Sequence, residues 1–113
     1  MEEKRLVPFD IYEWDSEMVI LIPLGGVSKD SVECILDGTS LLVKWVRVIP
    51  KLKSNLKPST EQCHRGNFEA EIALPSAIYF DKIFVKFLPE NILTITVPKL
   101  IVPDKVKLEI KYL

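Results

Sequence analysis

The sequence predicts an all-β fold, with two sheets packed face to face. Three observations carry that prediction. Apolar and polar residues alternate with period two in most segments, as in Leu93, Ile95 and Val97 against Thr94 and Thr96, which is the period of a half-buried strand. Turn signals recur at short spacing: Asp15-Ser16-Glu17, Gly25-Gly26, Asp37-Gly38, Pro75 and Leu88-Pro89-Glu90-Asn91. No segment of ten or more residues shows a helical apolar period. Short strands bounded by turns in this way mean a β-sandwich.

Taken in order, residues 8–13 form a short strand with Phe9, Ile11 and Glu13 on one face and Asp10 and Tyr12 on the other. Residues 18–22, Met-Val-Ile-Leu-Ile, are apolar on both faces, which predicts a central strand covered on both sides. Pro23 breaks it, and Gly25-Gly26 supplies a permissive backbone for the exit. Residues 31–36 set Val32, Cys34 and Leu36 against Ser31, Glu33 and Ile35. Asp37-Gly38 is a strong hairpin signal, and residues 41–48 return with Leu41, Val43, Trp45 and Arg47 on one face. Residues 66–74 place Phe68, Ala70, Ile72 and Leu74 opposite Glu69 and Glu71. Residues 83–87 and 91–97 make the last hairpin, and Pro98, with no N–H to donate, is expected to end the ladder.

Two segments stand outside this pattern. Residues 50–65 are polar, hold Pro50 and Pro58, and carry Lys51, Lys53, Lys57, Glu61 and Arg65. They read as a long loop, and loops of this length are usually functional or mobile. After Pro103, Val106, Leu108, Ile110 and Tyr112 alternate with Lys105, Lys107, Glu109 and Lys111. This is an amphipathic extended segment that can complete the chain's own sheet or pair with another chain.

Composition excludes several classes of function. At 113 residues and 48% hydrophobic, the chain is one folded domain with a single core. Its net charge of −1, with Lys and Arg spread along it, gives no concentrated basic face for nucleic acid. No apolar run reaches the roughly 18 residues of a membrane span, and Met1-Glu2-Glu3-Lys4-Arg5 leads into no apolar signal core. Cys34 and Cys63 make no disulfide framework and read as reduced thiols of a cytoplasmic protein. His64 is the one histidine, so Cys63-His64 lacks the ligand count of a metal site and a plausible catalytic geometry. Gly25-Gly26 lacks the strand–loop–helix context of a phosphate site. Trp14 and Trp45 read as core or edge aromatics. No enzymatic activity and no cofactor is expected.

The order of the pieces resembles the α-crystallin domain of small heat shock proteins. Pro8-Phe9-Asp10-Ile11-Tyr12-Glu13 is similar to that family's opening strand. Ile22-Pro23-Leu24-Gly25-Gly26-Val27, followed by Lys29-Asp30 and Val32, resembles its leucine–proline–glycine step. Gly66-Asn67-Phe68 through Leu74-Pro75 matches its glycine-x-phenylalanine to leucine-proline strand. Leu93-Thr94-Ile95-Thr96-Val97-Pro98-Lys99 matches its final strand, and Leu108-Glu109-Ile110 fits its C-terminal isoleucine-x-isoleucine motif with Leu first. Each motif alone is weak; their value lies in the shared order across residues 8–110.

The resemblance implies an immunoglobulin-like sandwich of seven to nine antiparallel strands and an ATP-independent holdase of the stress response. Such a protein binds unfolded or partly folded clients and is built from homodimers that assemble into larger oligomers. It divides the chain into a short arm at residues 1–7, the domain at 8–99 and a tail at 100–113. Residues 50–65 take the place of a loop that swaps onto the partner subunit, with Leu52, Leu56 and Pro58 as contacts. Leu108 and Ile110 take the place of the docking motif. The groove that receives them falls between residues 31–36 and 83–87, lined by Val32, Cys34, Leu36, Ile83, Val85 and Phe87.

The chain departs from the family pattern at three points. Ala70 stands where an arginine of an interface ion pair is usual. Glu90-Asn91 stands where Asn-Gly is usual, although Asn tolerates a left-handed backbone. Only Met1 to Val7 precede the domain, where the family places a long apolar arm that captures clients. Two other readings share the fold: a monomeric co-chaperone or adaptor that docks on the large ATP-driven heat-shock chaperone, and a specialised assembly factor without general holdase activity. The Pro98-Lys99 stop and the tail motif favour the holdase.

Overall fold

The computed structural model describes residues 7–101 and 105–113. The arm expected at 1–7 therefore lies, but for Val7, outside the described residues, as does Pro103. The strands are β1 (Asp10–Glu13), β2 (Glu17–Pro23), β3 (Glu33–Asp37), β4 (Ser40–Arg47), β5 (Gly66–Ala73), β6 (Phe84–Phe87) and β7 (Ile92–Pro98). They form a four-stranded sheet in the order β1-β2-β7-β6 and a three-stranded sheet in the order β3-β4-β5. Every pairing is antiparallel. One-turn 3-10 segments, Lys29–Ser31 and Phe80–Lys82, lead into β3 and β6.

The period-two alternation becomes two inner faces. Met18, Ile20 and Ile22 of β2 and Leu93, Ile95 and Val97 of β7 pack against Leu41, Val43 and Trp45 of β4 and Phe68, Ala70 and Ile72 of β5. Trp45 stacks on Phe68, its directly opposed neighbour, with ring centroids 5.8 Å apart and planes 3° from parallel. Burying each large aliphatic side chain contributes about 1.5–3 kcal/mol, so the core rests on β2 and β7 of one sheet and β4 and β5 of the other.

Four local features differ from, or sharpen, the sequence reading. β2 is central but is not covered on both sides: Val19 and Leu21 are only half-buried on the outer face. They pair with Tyr12 and Asp10 of β1 and with Thr96 and Thr94 of β7, and no layer of the described residues covers that side. Pro98 ends the ladder but not the pairing. Its carbonyl accepts from the Tyr79 N–H at 3.0 Å, Lys99 bridges Ile78, and the Leu100 N–H donates to Ala77. β7 ends at the proline, and isolated backbone bonds to Ala77 and Tyr79 and from the Lys99 N–H to Ser16 carry the chain past it. The Asp37-Gly38 hairpin closes with Asp37 paired to Ser40 and Gly38-Thr39 as the loop. Gly38 has φ +61° while Thr39 stays out of the left-handed region, the pattern of a type II′ turn. Asn91 has φ 62°, closes a turn by donating its N–H to Leu88 at 3.0 Å, and accepts from the Leu24 N–H at 2.7 Å.

Residues 48–65 form no strand, and Leu52 and Leu56 are exposed on a loop whose local bond runs from the Leu56 N–H to Lys53. Residues 105–113 carry no secondary structure and are exposed throughout. The radius of gyration, 20.1 Å, exceeds the roughly 13 Å of a compact chain this long. The sandwich therefore carries projecting segments that bury nothing of their own.

Candidate functional site

The site follows from which strands lie at the edges. Among the described residues β3 pairs only with β4 and β6 only with β7, so each presents one free edge. Residues directly opposed across an antiparallel pair point to the same face. Cys34 opposes Val43 and Leu36 opposes Leu41, both buried in the core. Val85 opposes Ile95 and Phe87 opposes Leu93, likewise buried. Cys34, Leu36, Val85 and Phe87 therefore all face the space between the sheets, at the rim where no further strand closes it.

The rim is only partly filled. Leu36 and Val85 are 40% and 41% exposed although they share a face with residues at or below 3%. Val32 and Ile83 lie just before their strands, at the ends of the two 3-10 turns, and pack with Phe87 against the core. The Lys29 ammonium sits over the Phe87 ring at 5.3 Å from its centroid, which ties the approach to β3 to the end of β6. Ser31 completes that approach: its Oγ accepts from the Val46 N–H at 3.0 Å and donates to the Ser28 carbonyl at 2.7 Å. The two edges thus lie at open rims of the sandwich, and the Lys29–Phe87 contact links them at one end. Sequence reasoning missed Lys29, because its contact with Phe87 joins segments distant in sequence.

Cys34 lies open to solvent on one side, and burial against its neighbours pushes its thiol above the usual cysteine value. A raised value keeps the neutral thiol at physiological pH, which suits an apolar lining residue. Cys63 is exposed on the loop. His64 packs edge-on against Phe68 at 5.1 Å, and Arg47 lies over the same ring at 4.7 Å while its Nε donates to Gly25 at 3.1 Å. Among the described residues no cluster of three His, Cys, Asp or Glu side chains could hold a metal ion. No helix among them is long and apolar enough to cross a membrane.

The other predicted site residues are exposed and make no joint contact with either rim. Leu108 and Ile110 are 79% and 69% exposed on the tail, with no strand partner. Leu52, Leu56 and Pro58 project on the loop. Ala70 is buried at 5% on the inner face, so an arginine there would place a charge in the core and not at an interface. The edge of β1 is also free and presents Ile11 and Tyr12, with Trp14 just beyond.

No family model matches the sequence, and no curated protein matches it. The fold does have counterparts among solved structures. A small heat-shock protein from Xylella fastidiosa, described as having a distinct high order structure, is 21% identical, with TM-score 0.75 over 96% of this chain and 98% of that one. Heat shock protein 16.0 from Schizosaccharomyces pombe is 25% identical, with TM-score 0.69 over 93% and 97%. HSP18.5 from E. histolytica is 17% identical, with TM-score 0.73 over 96% and 100%. The fold is that of the α-crystallin domain, and the proteins it matches over nearly their full length are small heat shock proteins, a chaperone family without enzymatic chemistry.

Proposed function

We propose that this chain is an ATP-independent holdase of the small heat shock type, which self-assembles by docking its tail in the groove of another subunit. One observation carries the reading. The cross-strand register turns Cys34 and Leu36 of edge strand β3, and Val85 and Phe87 of edge strand β6, toward the space between the sheets, while the same chain holds Leu108 and Ile110 exposed on a segment without strand pairing. A free edge beside an apolar strip accepts an extended peptide by strand addition, and an unfolding client presents such a peptide.

The energetics suit reversible contacts. Burying Leu108 and Ile110 contributes about 1.5–3 kcal/mol each, and ordering the tail and losing rigid-body freedom cost several kcal/mol in turn. A single contact is therefore weak, and several in one assembly hold through effective concentration. Homodimers form through the loop with Leu52, Leu56 and Pro58, and the free edge of β1 is suited to receive it. Two free thiols fit a reducing, cytoplasmic setting. The similarity to small heat shock proteins supports the chaperone class.

Suppression of light scattering from an aggregating client, with no nucleotide added, tests the activity. The full chain suppresses scattering at near-stoichiometric ratios. A chain that assembles normally but leaves scattering unchanged is an assembly factor, and a monomer that leaves it unchanged is an adaptor.

A further inference from the structure

We propose that the tail docks on a second copy of this chain as a strand added to β3 and not to β6, running antiparallel, with register set by Lys107 beside Asp37 and Lys111 beside Glu33. The proposal rests on the tail-in-groove reading and specifies which edge, which direction and which pairs.

The outer face of the three-stranded sheet carries rows of charge. Glu33 opposes Lys44, and Lys44 opposes Glu69. This row alternates in sign across the sheet and ends at the free edge of β3 on an exposed carboxylate. Asp37 ends a second row, opposing Ser40 and then Ala73, with no cation in that row. Neither Glu33 nor Asp37 has an ion-pair partner among the described residues. The edge of β3 therefore presents two carboxylates four residues apart.

The tail presents the complement. Lys107 and Lys111 are also four residues apart, and Leu108 and Ile110 lie between them with the opposite parity. Opposed residues share a face. With Lys107 against Asp37 and Lys111 against Glu33, Leu108 falls beside Leu36 and Ile110 beside Cys34, both on the groove side. Charge pairing and apolar burial are thus satisfied by one register. A slip of one residue would turn the lysines into the groove and the apolar pair out.

The edge of β6 does not offer this. Its outer-facing residues are Phe84 and Lys86, and Lys86 is exposed with its ammonium over the Phe84 ring. A tail carrying Lys105, Lys107 and Lys111 meets like charge there. Direction follows from the remaining lysines. A parallel tail would set Lys105 opposite Ser31, beside Lys29, whereas an antiparallel one sets it opposite Thr39 in the hairpin loop.

The test uses the full chain with Leu108→Ala and Ile110→Ala, which silences its own tail, and a fluorescent synthetic peptide of residues 105–113 titrated by anisotropy. Glu33→Lys and Asp37→Lys in the protein are each expected to weaken the peptide about three- to tenfold. Lys86→Glu is expected to change affinity by less than about twofold. A peptide with Lys111→Glu is expected to bind weakly to the parent surface and to recover on the Glu33→Lys protein but not on Asp37→Lys. Recovery on Asp37→Lys alone overturns the antiparallel direction. Tighter binding to Lys86→Glu with no effect at Glu33 or Asp37 places the tail on β6 and overturns the proposal. A peptide with Leu108→Ala and Ile110→Ala separates the two levels. If it binds as well as the parent peptide, the tail-in-groove reading fails; if it does not bind while the charge variants have no effect, only the charge register fails.

Discussion

Asn91 shows how a single residue lets a turn depart from its usual sequence. The backbone there needs φ 62°, a region that costs most L-residues about 1 kcal/mol and that Gly and Asn tolerate. Asn91→Gly is expected to be neutral or slightly stabilising, and Asn91→Val to lose about 1–2 kcal/mol in urea unfolding. An unchanged midpoint for Asn91→Val would show that the turn relaxes to another conformation. Cys34 gives a second residue-scale test. Its thiol is raised by burial, so its thiolate fraction at neutral pH is smaller than that of an ordinary cysteine near 8.5. Alkylation of Cys34 is expected to be slow at pH 7 and to rise with a midpoint above that value. The tail peptide is expected to slow it further without changing Cys63, and equal slowing at both thiols would remove the groove as the docking place. Some of this was legible in the sequence and some was not. The tolerance of Asn for a left-handed turn follows from its side chain. The inward direction of Ala70 follows from the same alternation that placed Phe68 and Ile72, but what it meets across the sheets is a tertiary fact.

At the scale of elements, the sequence showed faces better than it showed edges. Period two placed Leu41, Val43, Trp45, Phe68, Ile72, Leu93, Ile95 and Val97 on inner faces, because side-chain direction in a strand is a local property. It misread residues 18–22 as doubly covered, because an apolar run does not distinguish a second layer from an open outer face on which Val19 and Leu21 stay half-exposed. It placed the end of β7 at Pro98 correctly but missed the isolated bridge that follows, because its partner segment, Ala77 to Tyr79, is not in either neighbouring strand. Whether β3 and β6 are edges depends on strand order, which no local pattern encodes. The distinction between core and rim predicts two classes of substitution. Ile95→Ala, in a fully buried site, is expected to cost about 2–5 kcal/mol. Leu36→Ala, already 40% exposed, should cost under about 1.5 kcal/mol yet weaken tail binding. Equal losses of stability at the two positions would mean that the rim is part of the core and not a docking surface. The loop is a separate element with a separate role. Deleting its central residues 52–58 is expected to give monomers with an unchanged unfolding midpoint, and a deletion variant that stays dimeric would rule out loop exchange as the dimer contact.

At the scale of the whole molecule, the sandwich and its projections divide the work. The core of the sandwich draws on β2, β4, β5 and β7 and on neither the loop nor the tail. The projections extend the molecule to 86 Å along one axis while leaving Leu52, Leu56, Leu108 and Ile110 in water. Exposed apolar residues held away from their own domain gain free energy only when another copy covers them. The proposed assembly uses two kinds of contact, one through the loop and one through the tail, assigned to different edges. Truncation at Lys99 removes the second and leaves the first. Light scattering coupled to size-exclusion chromatography is therefore expected to show a dimer or larger particle for the full chain and a dimer for the truncated one, with the same unfolding midpoint for both. Because the tail contact includes charge pairs at a solvent-exposed edge, the larger particle should also dissociate toward dimers as salt rises from about 0.1 to 1 M, where the screening length falls from about 10 to 3 Å. Apolar burial alone would not weaken with salt. A particle that persists at high salt but is lost on truncation would assign the tail contact to Leu108 and Ile110 without the lysines, and a monomer in every condition would exclude assembly through either projection.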